Sequence, residues 1–216
     1  MIDLHSGRIS EIVVLGAHCD DIAIGIGGTL LTLAKTQAPL RIRALVLSGN
    51  GTERAGEEAA ALHAFCPGGT VELTVLDIPD GRAPAHWNRI KDALHEFRVA
   101  ADPQVVFAPQ CADAHQDHRL LAELVTTEFR DHLVLGYEIV KWEADTPRPT
   151  LYHRLGLEIA RSKALLLAEH YPSQRDRDWY DDEAFLGLAR LRGVQCRSTY
   201  AEAFVVGKAV ITFGGR

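Results

Sequence analysis

Four short apolar runs, Ile12–Leu15, Ile42–Leu47, Val71–Leu76 and Val105–Ala108, recur along the first half of the chain with a helix-like segment after each. This alternation constrains the fold more than any other feature. The intervening segments are Ala23–Lys35, Ala55–Phe65, His86–Val99 and His115–Phe129. In the second of them Ala55, Ala59, Leu62 and Phe65 repeat at helical spacing, with Glu57 and Glu58 set on the opposite face. Units of this kind predict an α/β fold, a Rossmann-like, mostly parallel sheet flanked by helices. A weaker fifth strand is expected at Leu133–Val140. Past residue 150 the pattern becomes α-rich: a helix over Leu155–His170, a polar loop over 171–180, a helix over Glu183–Leu191 and a late strand over Ala203–Phe213. With 216 residues, no repeat and no clear linker, one domain is expected over 1–216. Its core is expected over 10–135, with 136–216 as a C-terminal part expected to shape substrate choice.

Composition narrows the function. A net charge of −6 with no Lys/Arg run argues against a nucleic-acid partner. No stretch approaches a membrane span and the start lacks a signal-peptide core, so a cytoplasmic address is expected. Cys19, Cys66, Cys111 and Cys196 are far apart and form no C-x-x-C pair, which points away from a disulfide framework or a thiolate zinc knuckle.

In open parallel sheets, chemistry collects beyond the carboxyl ends of the strands. GAHCDDIAIGIGG (16–28) follows the first strand and PQCADAHQDHR (109–119) follows the fourth. A dinucleotide loop is excluded because Leu30 stands where the third glycine belongs. A phosphate loop in GNGTERAGEE (49–58) is excluded because Glu57 and Glu58 replace the lysine and hydroxyl. Helix capping by Asp20 or Asp21, or a capping box from Asp113 and Gln116, would account for one carboxylate in each loop, and for neither His18 and the second aspartate nor His115 and His118.

A metal site accounts for both loops together. His18, Asp21 and His118 form a two-His, one-carboxylate set that leaves a position open for water. Zinc is the expected ion, and ferrous iron also accepts such ligands. Asp20 is then placed as general base. His115, one turn before His118, is placed to stabilise an oxyanion as an imidazolium and to protonate a leaving amine. Asp117 is either a partner that orients a histidine or a helix-start cap. Downstream, Tyr137 and Trp142 in YEIVKWEAD are candidates for stacking on a sugar ring, or for packing at a rim.

AHCDD before a glycine-rich helix, with HQDHR after the fourth strand, resembles the PIG-L/LmbE family of zinc-dependent N-deacetylases. The usual signatures are A-H-P-D-D-E and H-x-D-H, and the resemblance covers roughly residues 10–135. It implies a Rossmann-like fold, removal of acetyl from a small N-acetylglucosamine-type conjugate, zinc on His18, Asp21 and His118, Asp20 as base and His115 as acid or oxyanion stabiliser. Arg54 falls where the family often has a substrate-contacting arginine, and it could equally pair with Glu57 or Glu58. Two departures stand out. Cys19 replaces the usual proline, and Ile22 replaces the usual glutamate. A different metal hydrolase, acting on a non-sugar amide or an ester, and a non-catalytic N-acetyl-sugar binder both remain open, as does homo-oligomerisation.

Overall fold

A central strand β1 (Glu11–Gly16) and its neighbour β4 (Val105–Pro109) carry the apolar runs, and all but one of their residues are buried. Both faces of these strands are covered, which is why their sequences read as continuous apolar stretches. The computed structural model describes residues 3–212. With β2 (Arg41–Val46), β3 (Thr70–Val75), β5 (Val134–Tyr137), β6 (Leu151–Leu155) and β7 (Tyr200–Val205), it forms one seven-stranded sheet in the order β3-β2-β1-β4-β5-β7-β6. The first five strands are parallel, and β7 runs antiparallel to both β5 and β6. The helices are α1 (Asp21–Thr36), α2 (Glu53–Phe65), α3 (Trp87–Val99), α4 (Gln116–Glu128), α5 (Leu157–His170) and α6 (Asp182–Cys196).

The sheet order reverses between β1 and β4, so the loops leaving these two strands diverge and open a crevice at their carboxyl ends. The first loop carries His18–Asp21 and the second carries His115–His118. Two apolar clusters sandwich the sheet. One, around Phe65, Leu30 and Tyr171, lies under α1, α2 and α5; the other, around Ile90, Leu121 and Phe129, lies under α3 and α4.

The second half departs from expectation. The chain enters the expected Leu155–His170 helix through an unforeseen edge strand, β6, and the helix starts at Leu157 after Gly156. Tyr152, His153 and Arg154 give that strand little apolar pattern, because its faces are mostly only partly covered and Leu155 alone is buried. The late strand starts at Tyr200 and stops at Val205 rather than running on; Phe213 lies outside the described residues. The fifth strand is also shorter than Leu133–Val140, since residues after Tyr137 turn toward the crevice. The C-terminal part therefore adds two strands as well as two helices to the sheet.

A buried ion pair anchors the helix that opens the site. Glu202 on β7 accepts the backbone N–H groups of Gly28 and Thr29 in mid-α1 at 2.8 and 2.7 Å. Lys163 on α5 donates to Ile24 O and to Glu202, each at 2.6 Å. A second buried pair, Arg192 with Glu138, is bidentate at 2.7 and 2.6 Å. Both pairs border a cavity of about 20 Å³ between α1, α5 and α6. Burying these charges is tolerable only because each is closely paired and further hydrogen-bonded.

Candidate metal centre

Strand β1 ends at Gly16, and the chain turns through Ala17-His18-Cys19-Asp20 into α1. Asp20 takes φ +110°, a left-handed conformation that a residue with a Cβ adopts only when its surroundings compel it. Its neighbours do so. Its N–H donates to Glu58 Oε2 at 2.8 Å, and Arg54 Nη2 reaches Cys19 O at 2.5 Å and Asp20 Oδ1 at 3.4 Å. Asp21 Oδ2 accepts the N–H groups of Ala17 and His18, both at 2.9 Å, so the turn closes on its own carboxylate.

The loop after β4 faces this turn. His115 is the N-cap of α4, its Nδ1 accepting from Asp117 N–H at 3.3 Å. Asp113 does not form a capping box with Gln116. Its Oδ1 accepts His115 N–H at 2.8 Å, and its Oδ2 stands 3.1 Å from His118 Nδ1 and 3.0 Å from Lys141 Nζ.

Across the crevice, His18 Nδ1 and His118 Nε2 are 3.1 Å apart, and Asp21 Oδ2 is 3.6 Å from the first and 3.3 Å from the second. Nitrogen and oxygen donors bound at about 2.0–2.2 Å in a tetrahedron stand roughly 3.4 Å from one another. These three therefore fit one cation. His115 also approaches, with its ring centroid 4.8 Å from that of His18 and 4.7 Å from that of His118, and the three imidazoles form a cluster of metal-binding size. The tighter triangle is His18, Asp21 and His118, because His115 Nδ1 is already engaged by the backbone. Behind each of the two histidines of this triangle stands a carboxylate. His18 Nε2 is 3.3 Å from Asp117 Oδ2 and 3.1 Å from Asp80 Oδ1, and Asp113 backs His118. Carboxylates in that position fix the ring and raise its basicity toward a metal. Asp117 also accepts from Gly81 and Ala83 N–H at 2.8 and 3.1 Å, tying the β3 loop to α4.

The electrostatics follow from burial among like charges. Burial opposes charge on His18, but Asp117, Asp21 and Asp80 outweigh it and hold the ring's pKa well above its usual value. Asp21 is likewise buried, yet the two histidines keep its carboxyl below the ordinary range. For Asp20, burial and the neighbouring Asp21 charge win over Arg54, and its pKa rises to about 7. His115 goes the other way. Burial and the two other histidines lower its pKa below the usual value, which favours the neutral ring. With Nδ1 accepting from the backbone, the neutral ring carries its proton on Nε2.

A cleft of about 260 Å³ contains His18, Asp20, Asp21, His115 and His118. Arg54 lines it, paired to Asp20 instead of Glu57 or Glu58. Trp142 stands at its mouth, 62% exposed. Tyr137 is not there. It is fully buried, donates its hydroxyl to Leu15 O at 2.6 Å, and packs its ring against Gly25, where an added Cβ would lie 2.2 Å from the ring. It belongs to the core because β5 pairs through it, and so a stacking role is excluded.

Glu58 is the other correction. It is wholly buried, not on a solvent face: its Oε2 takes the Asp20 N–H and the Tyr171 hydroxyl, each at 2.8 Å, and burial raises its carboxyl to about 8. Periodicity alone gave no sign of it. Asp80 and Asp113 were visible as acids at strand ends, without a sign of which histidine each would back. Lys141, Gln174, Arg177 and Trp179 enter the cleft from the irregular C-terminal segments, where spacing carries no signal.

Residues 13–129 match the PIG-L family, described as GlcNAc-PI de-N-acetylase. The chain is 28% identical over 137 residues to YaiS of Escherichia coli K12, an uncharacterised deacetylase, covering 59% of this chain and 72% of YaiS. The N,N'-diacetylchitobiose deacetylase of Pyrococcus horikoshii superposes with a TM-score of 0.68 at 17% identity, over 92% of this chain and 84% of that one. The 4-carboxy-2-hydroxymuconate hydratase GalB of Pseudomonas putida KT2440 superposes with a TM-score of 0.70 at 18% identity, over 96% and 100%. At such identities the two structures share a fold with this chain, and between them that fold serves two reactions.

Proposed function

This chain belongs to the PIG-L family of deacetylases, and on that premise we propose that it hydrolyses the N-acetyl group of an amino-sugar conjugate, using a divalent cation, zinc or ferrous iron, on His18, Asp21 and His118. The observation that carries the reading is the three-donor triangle with a carboxyl of raised pKa, Asp20, beside it and left out of it.

A cation bound there would polarise the acetamide carbonyl and acidify a water. Asp20 takes the proton of the attacking water; a pKa near neutrality suits a base that must also give the proton back. His115 donates from Nε2 to the carbonyl oxygen as negative charge develops on it. Asp20 then returns its proton to the departing nitrogen, leaving acetate and a free amine. Arg54 holds the Asp20 carboxylate and the Cys19 carbonyl, so the base stays aimed into the cleft.

The test is acetate release from a panel of N-acetylglucosamine conjugates by protein as purified, chelator-stripped, and restored with zinc or ferrous iron. Release that depends on the added metal is expected. Bound metal without release from any conjugate would overturn the reading and direct attention to other amides and esters.

A further inference from the structure

The outer wall of the cleft is built differently from its floor. Arg177, in the segment between α5 and α6, lines the cleft, and its positive charge is felt at Asp20. It is half-buried and held. Its Nε donates to the buried Gln174 Oε1 at 2.7 Å, and its guanidinium lies 5.5 Å from the ring centroid of Trp142. Trp142 is fixed in turn by donating Nε1–H to Asp178 at 2.7 Å and by meeting Trp179 edge-on at 6.0 Å.

The three cleft cations differ in what they face. Lys141 is closed off by Asp113 and Asp145, at 3.0 and 2.6 Å. Arg54 is turned to Asp20. Arg177 has no carboxylate partner among the described residues, although Asp178 is its neighbour in sequence and is occupied by Trp142. An arginine positioned through Nε, stacked on an aromatic and left with its two terminal nitrogens free presents the fork that suits paired anionic oxygens.

We propose that Arg177, with Trp142 and Trp179 as its walls, forms a subsite for an anionic group, carboxylate or phosphate, on the part of the substrate that extends outward from the N-acetyl amine. The inference rests on the deacetylase reading, which places the acetamide at the His18–His118 end of the cleft. It narrows the substrate to acidic amino-sugar conjugates, whose charge would otherwise be repelled by Asp20 and Asp80.

The test compares three substrates on the metal-loaded enzyme: neutral N-acetylglucosamine, its 6-phosphate, and N-acetylmuramic acid, which bears a carboxylate. The expected result is a kcat/KM at least tenfold higher for one of the acidic compounds, carried mostly by KM, and collapse of that ratio toward one in Arg177→Gln. Which acid is preferred identifies the anion. A ratio near one in the wild type, or a preference that survives Arg177→Gln, overturns the subsite and leaves the deacetylase reading standing. If no compound releases acetate, that reading fails instead. The subsite is then decided by calorimetric binding of the 6-phosphate and the neutral sugar to wild type and Arg177→Gln: tighter binding of the phosphate that Arg177→Gln removes supports it, and equal binding overturns it.

Discussion

The backbone N–H of Asp20 is held by the carboxylate of Glu58 at 2.8 Å, and the same oxygen takes the hydroxyl of Tyr171 at 2.8 Å. Glu58 thus fastens from behind the one residue of the β1–α1 turn that adopts a left-handed backbone. The motif's usual glutamate is Ile22 here, and a carboxylate from α2 stands behind the turn. Without that acceptor the strained Asp20 backbone has one fewer reason to keep its conformation, at a strain cost on the order of 1–3 kcal/mol. Glu58→Leu is expected to lower kcat by roughly 10–100-fold, since each 1.4 kcal/mol of misplacement is about tenfold. KM and metal content should stay near wild type, and Glu58→Gln, which still offers an acceptor, should recover most of the rate. Steady-state kinetics with metal analysis checks this; equal loss in both variants would show that the hydrogen bond to the Asp20 N–H is not what Glu58 contributes.

Asp20 and His118 are expected to separate chemistry from metal binding. Asp20 lies beside the three-donor triangle, so Asp20→Ala should retain about one equivalent of metal and lose roughly 10²–10⁴-fold in turnover, the usual contribution of a general base. His118→Ala removes a donor and should lose the metal itself. Elemental analysis of both purified variants, with acetate release measured in parallel, separates the roles. Near-normal turnover in Asp20→Ala would remove it as the base.

What was legible in the sequence divides along physical lines. The parallel core could be read because β1 and β4 are buried on both faces, and burial on both faces leaves an uninterrupted apolar run. The meeting of His18 with His118 could be read because topology alone brings the loops after β1 and β4 to the same crevice. Glu58 could not. A helix that packs against another helix as well as the sheet is buried over a wider arc than its apolar stripe suggests, and a carboxylate within that arc is indistinguishable by spacing from a solvated one. Tyr137 failed for a related reason: an aromatic just before a polar loop reads as a rim residue, and only the glycine at position 25 opposite it makes room for its ring in the core. Strand β6, whose residues before Leu155 are only partly buried or exposed, had no apolar alternation to betray it.

The Lys163–Glu202 pair is expected to govern stability more than rate. Both side chains are buried, and together they occupy Ile24 O and the Gly28 and Thr29 N–H groups of α1. Glu202→Ala would leave the Lys163 charge buried alone, an effect of about 3–5 kcal/mol. For a chain of this size that lowers Tm by roughly 10 °C. Replacing both partners, as in Lys163→Met with Glu202→Leu, should recover much of the loss, because no isolated charge then remains. Thermal unfolding of the single and double variants measures the difference; a double variant as unstable as Glu202→Ala would show that the helix contacts, not the stranded charge, dominate.

Metal-free stability should fall as pH rises. Glu58 and His18 both have folded pKa values above their unfolded ones, Glu58 at about 8 against 4.5 and His18 well above 6.5. Each holds protons in the folded state that the unfolded chain releases, so the stability it contributes is complete below its unfolded pKa and lost as pH climbs through the folded one. For Glu58 that window runs from about 4.5 to about 8. Asp21, lowered by the two histidines, acts oppositely, its contribution vanishing only in acid below its unfolded value of 3.8. The chelator-stripped protein should therefore show its highest Tm in mild acid and a decline toward pH 8–9. Glu58→Gln, which cannot ionise, should flatten that decline. Zinc should raise Tm most at the alkaline end, since a bound cation takes the place of the His18 proton and protons compete with it as pH falls. Tm measured from pH 5 to 9, with and without zinc, on wild type and Glu58→Gln decides it: a metal-free Tm that rises with pH would contradict the protonation states assigned to both residues.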